Sequence, residues 1–135
     1  MSGPHQPPLT IVDLPGLIHS GKDTESDKDV EIVHKMVHGY MSNRRSIILA
    51  IVSAKNDTAN QKVLKMSREV DIQGRRTIGV ITKPDEPPRG SESEASYMKL
   101  AQNMDIYFRF GWHVLRNRKF EEKGTSAACR DETER

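Results

Sequence analysis

Two short turns hold the residues whose types and spacing could do chemistry. Asp13-Leu14-Pro15-Gly16 sets an acid at the end of an apolar run and a glycine three positions later. An acid there can hold a Mg²⁺, directly or through water, and the glycine lets a bare backbone N–H approach a terminal phosphate. In Thr82-Lys83-Pro84-Asp85, the carboxylate can accept two hydrogen bonds, from the N1–H and the exocyclic amine of guanine, a donor pair that adenine lacks. The aliphatic stem of Lys83 can cover the base or the ribose. Each turn taken alone also fits an ordinary strand-to-turn junction. Together, each following an apolar run, they point to a nucleotide site.

Other constellations carry less. His34 and His38 lie one helical turn apart, a spacing that can present two imidazoles to a metal, but no third ligand accompanies them and a solvent-facing pair is expected. Cys129 is the single cysteine; it is read as an inert thiol in a polar tail and fits a reducing compartment. Arg116, Arg118 and Lys119 could touch phosphate, yet Glu121 and Glu122 offset them, so a solvated face of mixed charge is expected. Met36, Met66, Met98 and Met104 fall on helical stripes and read as core filler.

The elements that must position these residues follow from hydrophobic periodicity. Apolar, β-branched runs predict strands at 9–12, 46–53, 77–82 and 112–115, the second with the continuous pattern of a strand buried on both faces. Between them lie three helical patterns. The first runs over Val30, Val33, Met36, Val37, Tyr40 and Met41, with Asp27 or Asp29 as N-cap. The second runs over Ala59, Val63, Met66 and Val70 and is closed by Gly74; the third runs over Ala95, Met98, Ala101, Met104 and Phe108. Residues 17–29 and 86–93 read as loops. Strand–helix alternation predicts an α/β fold with a parallel sheet, and ligands of such sheets bind at the carboxyl ends of the strands. The turns after Val12, Val52, Ile81 and Leu115 should therefore share one edge.

The 135 residues suffice for one domain, expected over 1–120, with a polar, loosely ordered tail at 121–135. Charge is balanced, 21 basic residues against 19 acidic, for a net +2, which argues against a nucleic-acid partner. No apolar run reaches the roughly 20 residues that span a bilayer. The start, Met1-Ser2-Gly3-Pro4-His5-Gln6-Pro7-Pro8, lacks a secretory pattern, so a cytoplasmic protein is expected.

Longer stretches carry a family resemblance. Thr10-Ile11-Val12-Asp13-Leu14-Pro15-Gly16-Leu17-Ile18 resembles the third guanine-nucleotide motif of dynamin-superfamily GTPases, and Arg76-Thr77-Ile78-Gly79-Val80-Ile81-Thr82-Lys83-Pro84-Asp85 resembles the fourth. Leu49 to Asp57 is similar to the strand and Asn/Asp-rich turn between them. Ser2-Gly3-Pro4 and Leu9 resemble the lead-in, and Gly111-Trp112-His113-Val114-Leu115-Arg116-Asn117-Arg118 resembles the region of the fifth motif. The resemblance covers about residues 2–123 and points to the dynamin and Mx branch. It implies a P-loop GTPase-like sheet with flanking helices and the ligands GTP and Mg²⁺. It assigns Asp13 to the metal, Gly16 to the γ-phosphate, residues 17–29 to switch II, and Thr82, Lys83 and Asp85 to the base. Asn117 and Arg118 match the fifth motif more loosely. It further implies microtubule or membrane association and self-assembly.

One expected part is missing from these residues. No stretch reads G-x-x-x-x-G-K-[ST]: Gly74 is followed by Arg75-Arg76, and Gly21-Lys22 is followed by Asp23 where Ser or Thr is required. Only residues 1–12 precede Asp13, and they hold neither a phosphate loop nor a switch I threonine. Phosphoryl transfer is catalysed almost wholly by positioning and charge stabilisation, which that loop supplies. The expectation is an incomplete G domain, lacking the first strand and phosphate loop, inactive alone and with no catalytic residue of its own. The alternative is a non-catalytic interaction protein that pairs with intact dynamin-like GTPases through an exposed sheet edge.

Overall fold

An apolar run becomes a strand only where a neighbouring backbone completes its ladder, and three of the four expected strands find one. The computed structural model of the chain describes residues 9–15, 17, 27–56 and 61–117. The chain divides into two compact units, Met1–Ser46 and Ile47–Arg135. The expected tail at 121–135, with Cys129, lies outside the described residues.

In the first unit, residues 9–15 form no strand, contrary to expectation for 9–12. Leu9, Ile11 and Val12 are about half exposed or more, and β-branching alone cannot make a strand without a ladder. Helix α1 spans Asp27–Ser42 and buries Val37 and Met41, while Tyr40 and Met36 face outward. Because α1 already begins at Asp27, Asp27 and Asp29 lie inside its first turn rather than capping it. An acidic residue at 29 suits the positive end of the helix dipole. The Ser42 hydroxyl lies 3.2 Å from His38 Nδ1, so His38 has a partner on its own helix; His34 is half-buried.

The second unit is a βαβαβ run: β1 Ile48–Ser53, α2 Lys62–Val70, β2 Thr77–Thr82, α3 Glu92–Ala101 and β3 Trp112–Leu115. The sheet order is β1-β2-β3 and both pairings are parallel, as expected of the α/β class. Ile48 pairs with Thr77 and Ser53 with Thr82; Gly79 pairs with Trp112 and Thr82 with Leu115.

Two crossovers that advance the same way across a sheet place both helices on one face. Accordingly Ala50, Val52 and Ile81 share a single core with Leu64 of α2, Tyr97 and Leu100 of α3, and Phe108. This corrects the reading of β1 as buried on both faces: Leu49 and Ile51, on the opposite face, are 55% and 53% exposed.

The helix stripes shift as well. The buried side of α3 is Tyr97 and Leu100 rather than Ala95 and Met98. The helix stops at Ala101, short of Met104 and Phe108. Asn103 takes a left-handed φ of 60°, and Asn103 N–H and Met104 N–H return to the carbonyls of Leu100 and Lys99, a Schellman closure. Asn103 then holds Phe108 with two hydrogen bonds, Nδ2 to the Phe108 carbonyl at 3.0 Å and Phe108 N–H to Oδ1 at 2.9 Å. Of the four methionines expected in the core only Met66 is buried; Met104 is largely exposed because it lies past the helix end. At its start α3 is capped by Ser91, whose hydroxyl accepts from Glu94 N–H at 3.1 Å.

Helix α2 ends at Val70 with Asp71 as its C-cap, not at Gly74. The Asp71 N–H bonds to the Ser67 carbonyl, and its carboxylate gathers the chain entering β2. It accepts from Arg75 N–H and Arg76 N–H at 3.0 Å each, and from the fully buried Thr77 hydroxyl at 2.7 Å. Gly74, with φ +58°, makes the turn itself, where a side chain would run into the backbone of Tyr107.

Candidate functional site

Because the ladders are parallel and in register, the carboxyl ends of β1, β2 and β3 meet along one edge of the second unit. Three of the expected turns, those after Val52, Ile81 and Leu115, therefore share that edge. Asp13 stands exposed in the first unit, on a segment outside any helix or strand. Gly16 and Arg118 lie outside the described residues, as do most of residues 17–29.

The turn after β2 is built from its backbone. Glu86 N–H bonds to the Lys83 carbonyl at 3.2 Å, closing the turn around Pro84 and Asp85. Lys83 adopts φ +55°, a left-handed conformation uncommon for a residue with a Cβ and worth notice at a strand end. Thr82 faces inward to the sheet: its hydroxyl donates to the Val52 carbonyl at 3.1 Å, and its own carbonyl accepts from Ala54 N–H at 2.9 Å. Thr82 thus ties the end of β2 to the end of β1. Lys83 and Asp85 project outward from the tie, both exposed.

The neighbouring turn, after β1, is fixed from below. The Tyr97 hydroxyl, on α3, lies 2.8 Å from the Ser53 carbonyl and 2.7 Å from the Asn56 carbonyl, and Gln61 Nε2 donates to it at 3.5 Å. One hydroxyl proton shared by two carbonyls gathers residues 53–56 beside the Asp85 turn. Tyr97→Phe keeps the buried ring and removes this tie. It is expected to cost about 1–2 kcal/mol in a urea melt and to raise amide exchange at 54–56 well above that of β1. Unchanged exchange would show the loop is held some other way.

Asn117 is exposed two residues beyond β3. Arg116, exposed as expected of a solvated face of mixed charge, brings Nε to 3.9 Å from Asp85 Oδ2. Tyr97 and Arg116 are the two residues that sequence reasoning did not place here. The β2–β3 register was the available signal for Arg116, since Leu115 lies opposite Thr82.

Chemically, Asp85 offers an acceptor-only group at a strand end, half-open to solvent, which suits a ligand edge presenting two donors. For Mg²⁺ the fit is narrower. Among the described residues no group of three or more His, Cys, Asp or Glu is placed to hold a metal ion. Mg²⁺ commonly takes only one or two carboxylates beside waters and substrate phosphates, so Asp13 fits as one such ligand and not as a metal site by itself. No helix among the described residues is long and apolar enough to cross a membrane.

Comparison with known proteins matches residues 1–84 to the sequence profile of the Dynamin family. The chain is 35% identical over 121 residues to the interferon-induced GTP-binding protein Mx1 of Rattus norvegicus, covering 87% of this chain and 18% of that protein. It is 31% identical over 135 residues to the interferon-induced GTP-binding protein Mx2 of Canis lupus familiaris, covering 100% of this chain and 19% of that one. Mx1 of Bos taurus is 33% identical over 119 residues. The chain thus spans less than a fifth of the length of these curated relatives.

Proposed function

The chain belongs to the dynamin family, and from that premise we propose that it is the base-reading part of a GTP-binding domain, inactive as a GTPase by itself. Its three-stranded parallel sheet with flanking helices is part of a P-loop GTPase-like α/β fold. The observation that carries the reading is the Thr82–Asp85 turn, held at the carboxyl end of β2 between the ends of β1 and β3. Asp85 accepts the two donors of guanine, Lys83 covers the base or ribose with its stem, and Thr82 positions the turn. By family resemblance, Asp13 is assigned to nucleotide-borne Mg²⁺ and Gly16 to the γ-phosphate, while Asn117 and Arg118 match the fifth motif more loosely. The relatives' printed names, GTP-binding proteins, support guanine nucleotide as the ligand class.

The inactivity follows from the absence of G-x-x-x-x-G-K-[ST] from these 135 residues. Base reading without a phosphate cradle gives weak binding and no hydrolysis. Titrating the isotope-labelled chain with GMP is expected to shift the amides of 82–86, AMP is expected to leave them in place, and GTP is expected to yield no phosphate above the buffer rate. Equal shifts with both nucleotides would overturn the base reading, and micromolar GTP affinity or turnover would overturn the inactivity.

A second reading has a specific observation behind it. Leu49 and Ile51 lie exposed on one face of β1, which among the described residues is an edge strand of the three-stranded sheet. Edges of that kind favour pairing with another chain. The chain would then be a non-catalytic interaction protein that binds intact dynamin-like GTPases; nucleotide-independent co-elution with a purified relative separates the two readings. Self-assembly and microtubule or membrane association rest on family resemblance alone.

A further inference from the structure

We propose that Arg116 is a built-in competitor for the guanine-reading carboxylate, holding Asp85 Oδ2 until the base displaces it; this rests on the reading of Asp85 given above. The placement follows from the strands. Thr82 and Leu115 are register partners, so the residue after Leu115 leaves β3 level with the turn that carries Asp85. From there the Arg116 guanidinium reaches across to Asp85, Nε to Oδ2 at 3.9 Å.

Guanine needs both carboxylate oxygens, one for N1–H and one for the exocyclic amine. The oxygen that Arg116 faces is therefore one that the base must use. The pair is 38% and 29% exposed, so solvent screens it and it opens at modest cost. Arg116 acts as a specificity-determining residue: it opposes a ligand that requires both oxygens and tolerates one that requires a single oxygen. Inosine, which keeps N1–H and lacks the exocyclic amine, is the ligand that can leave the Arg116 contact intact.

The test uses guanosine and inosine, which carry no charge, so that ionic strength acts on the ion pair and not on the ligand. Binding is followed by amide shifts in the full 135-residue chain, with variants checked for native-like spectra. Arg116→Gln is expected to bind guanosine about 2- to 5-fold more tightly, the range expected from releasing an exposed ion pair, with inosine little changed. Raising the salt concentration should tighten guanosine binding to the wild type and to Arg116→Lys, and leave Arg116→Gln unmoved. Unchanged or weaker guanosine binding by Arg116→Gln, with Asp85→Asn still abolishing binding, overturns the competitor role and leaves the base reading standing. Guanosine binding that is absent throughout, or that is indifferent to Asp85→Asn, overturns both.

Discussion

Replacing Asp71 with alanine is expected to destabilise the chain by about 2–4 kcal/mol, measured as a shift in its urea midpoint at neutral pH. The carboxylate takes three hydrogen bonds at the point where α2 ends and β2 begins. Two of its donors, the N–H groups of Arg75 and Arg76, are only part-buried and can recover water. The third, the Thr77 hydroxyl, is fully buried and cannot, so its lost partner dominates the cost. Burial alone would raise the Asp71 pKa. The hydrogen bonds from Arg76 N–H, the Thr77 hydroxyl and Arg75 N–H, with the Arg76 charge, together outweigh burial and hold it below the ordinary 3.8. The folded state therefore binds this proton less readily than the unfolded chain does. The stabilisation is present in full above the unfolded value and is lost as pH falls through the lower folded one. The gap between wild type and Asp71→Ala should accordingly narrow in acid. A gap that stays constant down to pH 2 would show that the carboxylate's charge contributes nothing.

Asp71 also marks where sequence pattern stops being informative. The strands at 48–53, 77–82 and 112–115 are legible because each is a short apolar run bounded by turn residues, and their parallel pairing follows from the helices between them. The Thr82–Asp85 turn is legible for the same reason, once strand ends are taken as the place where ligands bind. The orientation of α3 is not legible. Apolar residues at 95, 97, 98, 100 and 101 surround much of that helix, so periodicity offers two faces of similar merit. What tips the choice is polar: only with Tyr97 inward can its hydroxyl meet the Ser53 and Asn56 carbonyls. The face of β1 fails differently, since a continuous apolar run says nothing about how many helices there are to cover it, and within its unit both helices take one side. Residues 9–12 fail a third way. Their composition suits a strand, but a strand is a relation between two backbones, and the described residues complete none there. Arg116 and Asp85 could be joined only through the register, which no local window of sequence contains.

That register has its own keystone, and disturbing it is the second change expected to have a large effect. Gly79 sits mid-strand in β2 with ordinary backbone angles, so its requirement for glycine is one of space rather than conformation. A Cβ there would overlap the indole of Trp112, its register partner on β3. The indole cannot simply turn aside, because Nε1–H donates to the Ile106 carbonyl at 2.9 Å and the ring packs on Phe108 with centroids 5.1 Å apart. Gly79→Ala should therefore cost at least about 3 kcal/mol, at the upper end of overpacking penalties. Gly39→Ala is the control: nothing lies within 4 Å of its Cβ position, and in a helix the change should stabilise by about 0.5–1 kcal/mol. Trp112 is the single tryptophan, so its emission reports the displacement directly. If the clash is the cause, Gly79→Ala combined with Trp112→Leu should lose less stability than the two changes summed. Strict additivity would place the cost elsewhere. The strand that Trp112 begins ends at Leu115, opposite Thr82, so a displaced β3 also carries Arg116 away from Asp85. Gly79→Ala should then erase the salt dependence of guanosine binding along with the stability, because the packing at the start of β3 sets the geometry of the carboxylate at its end.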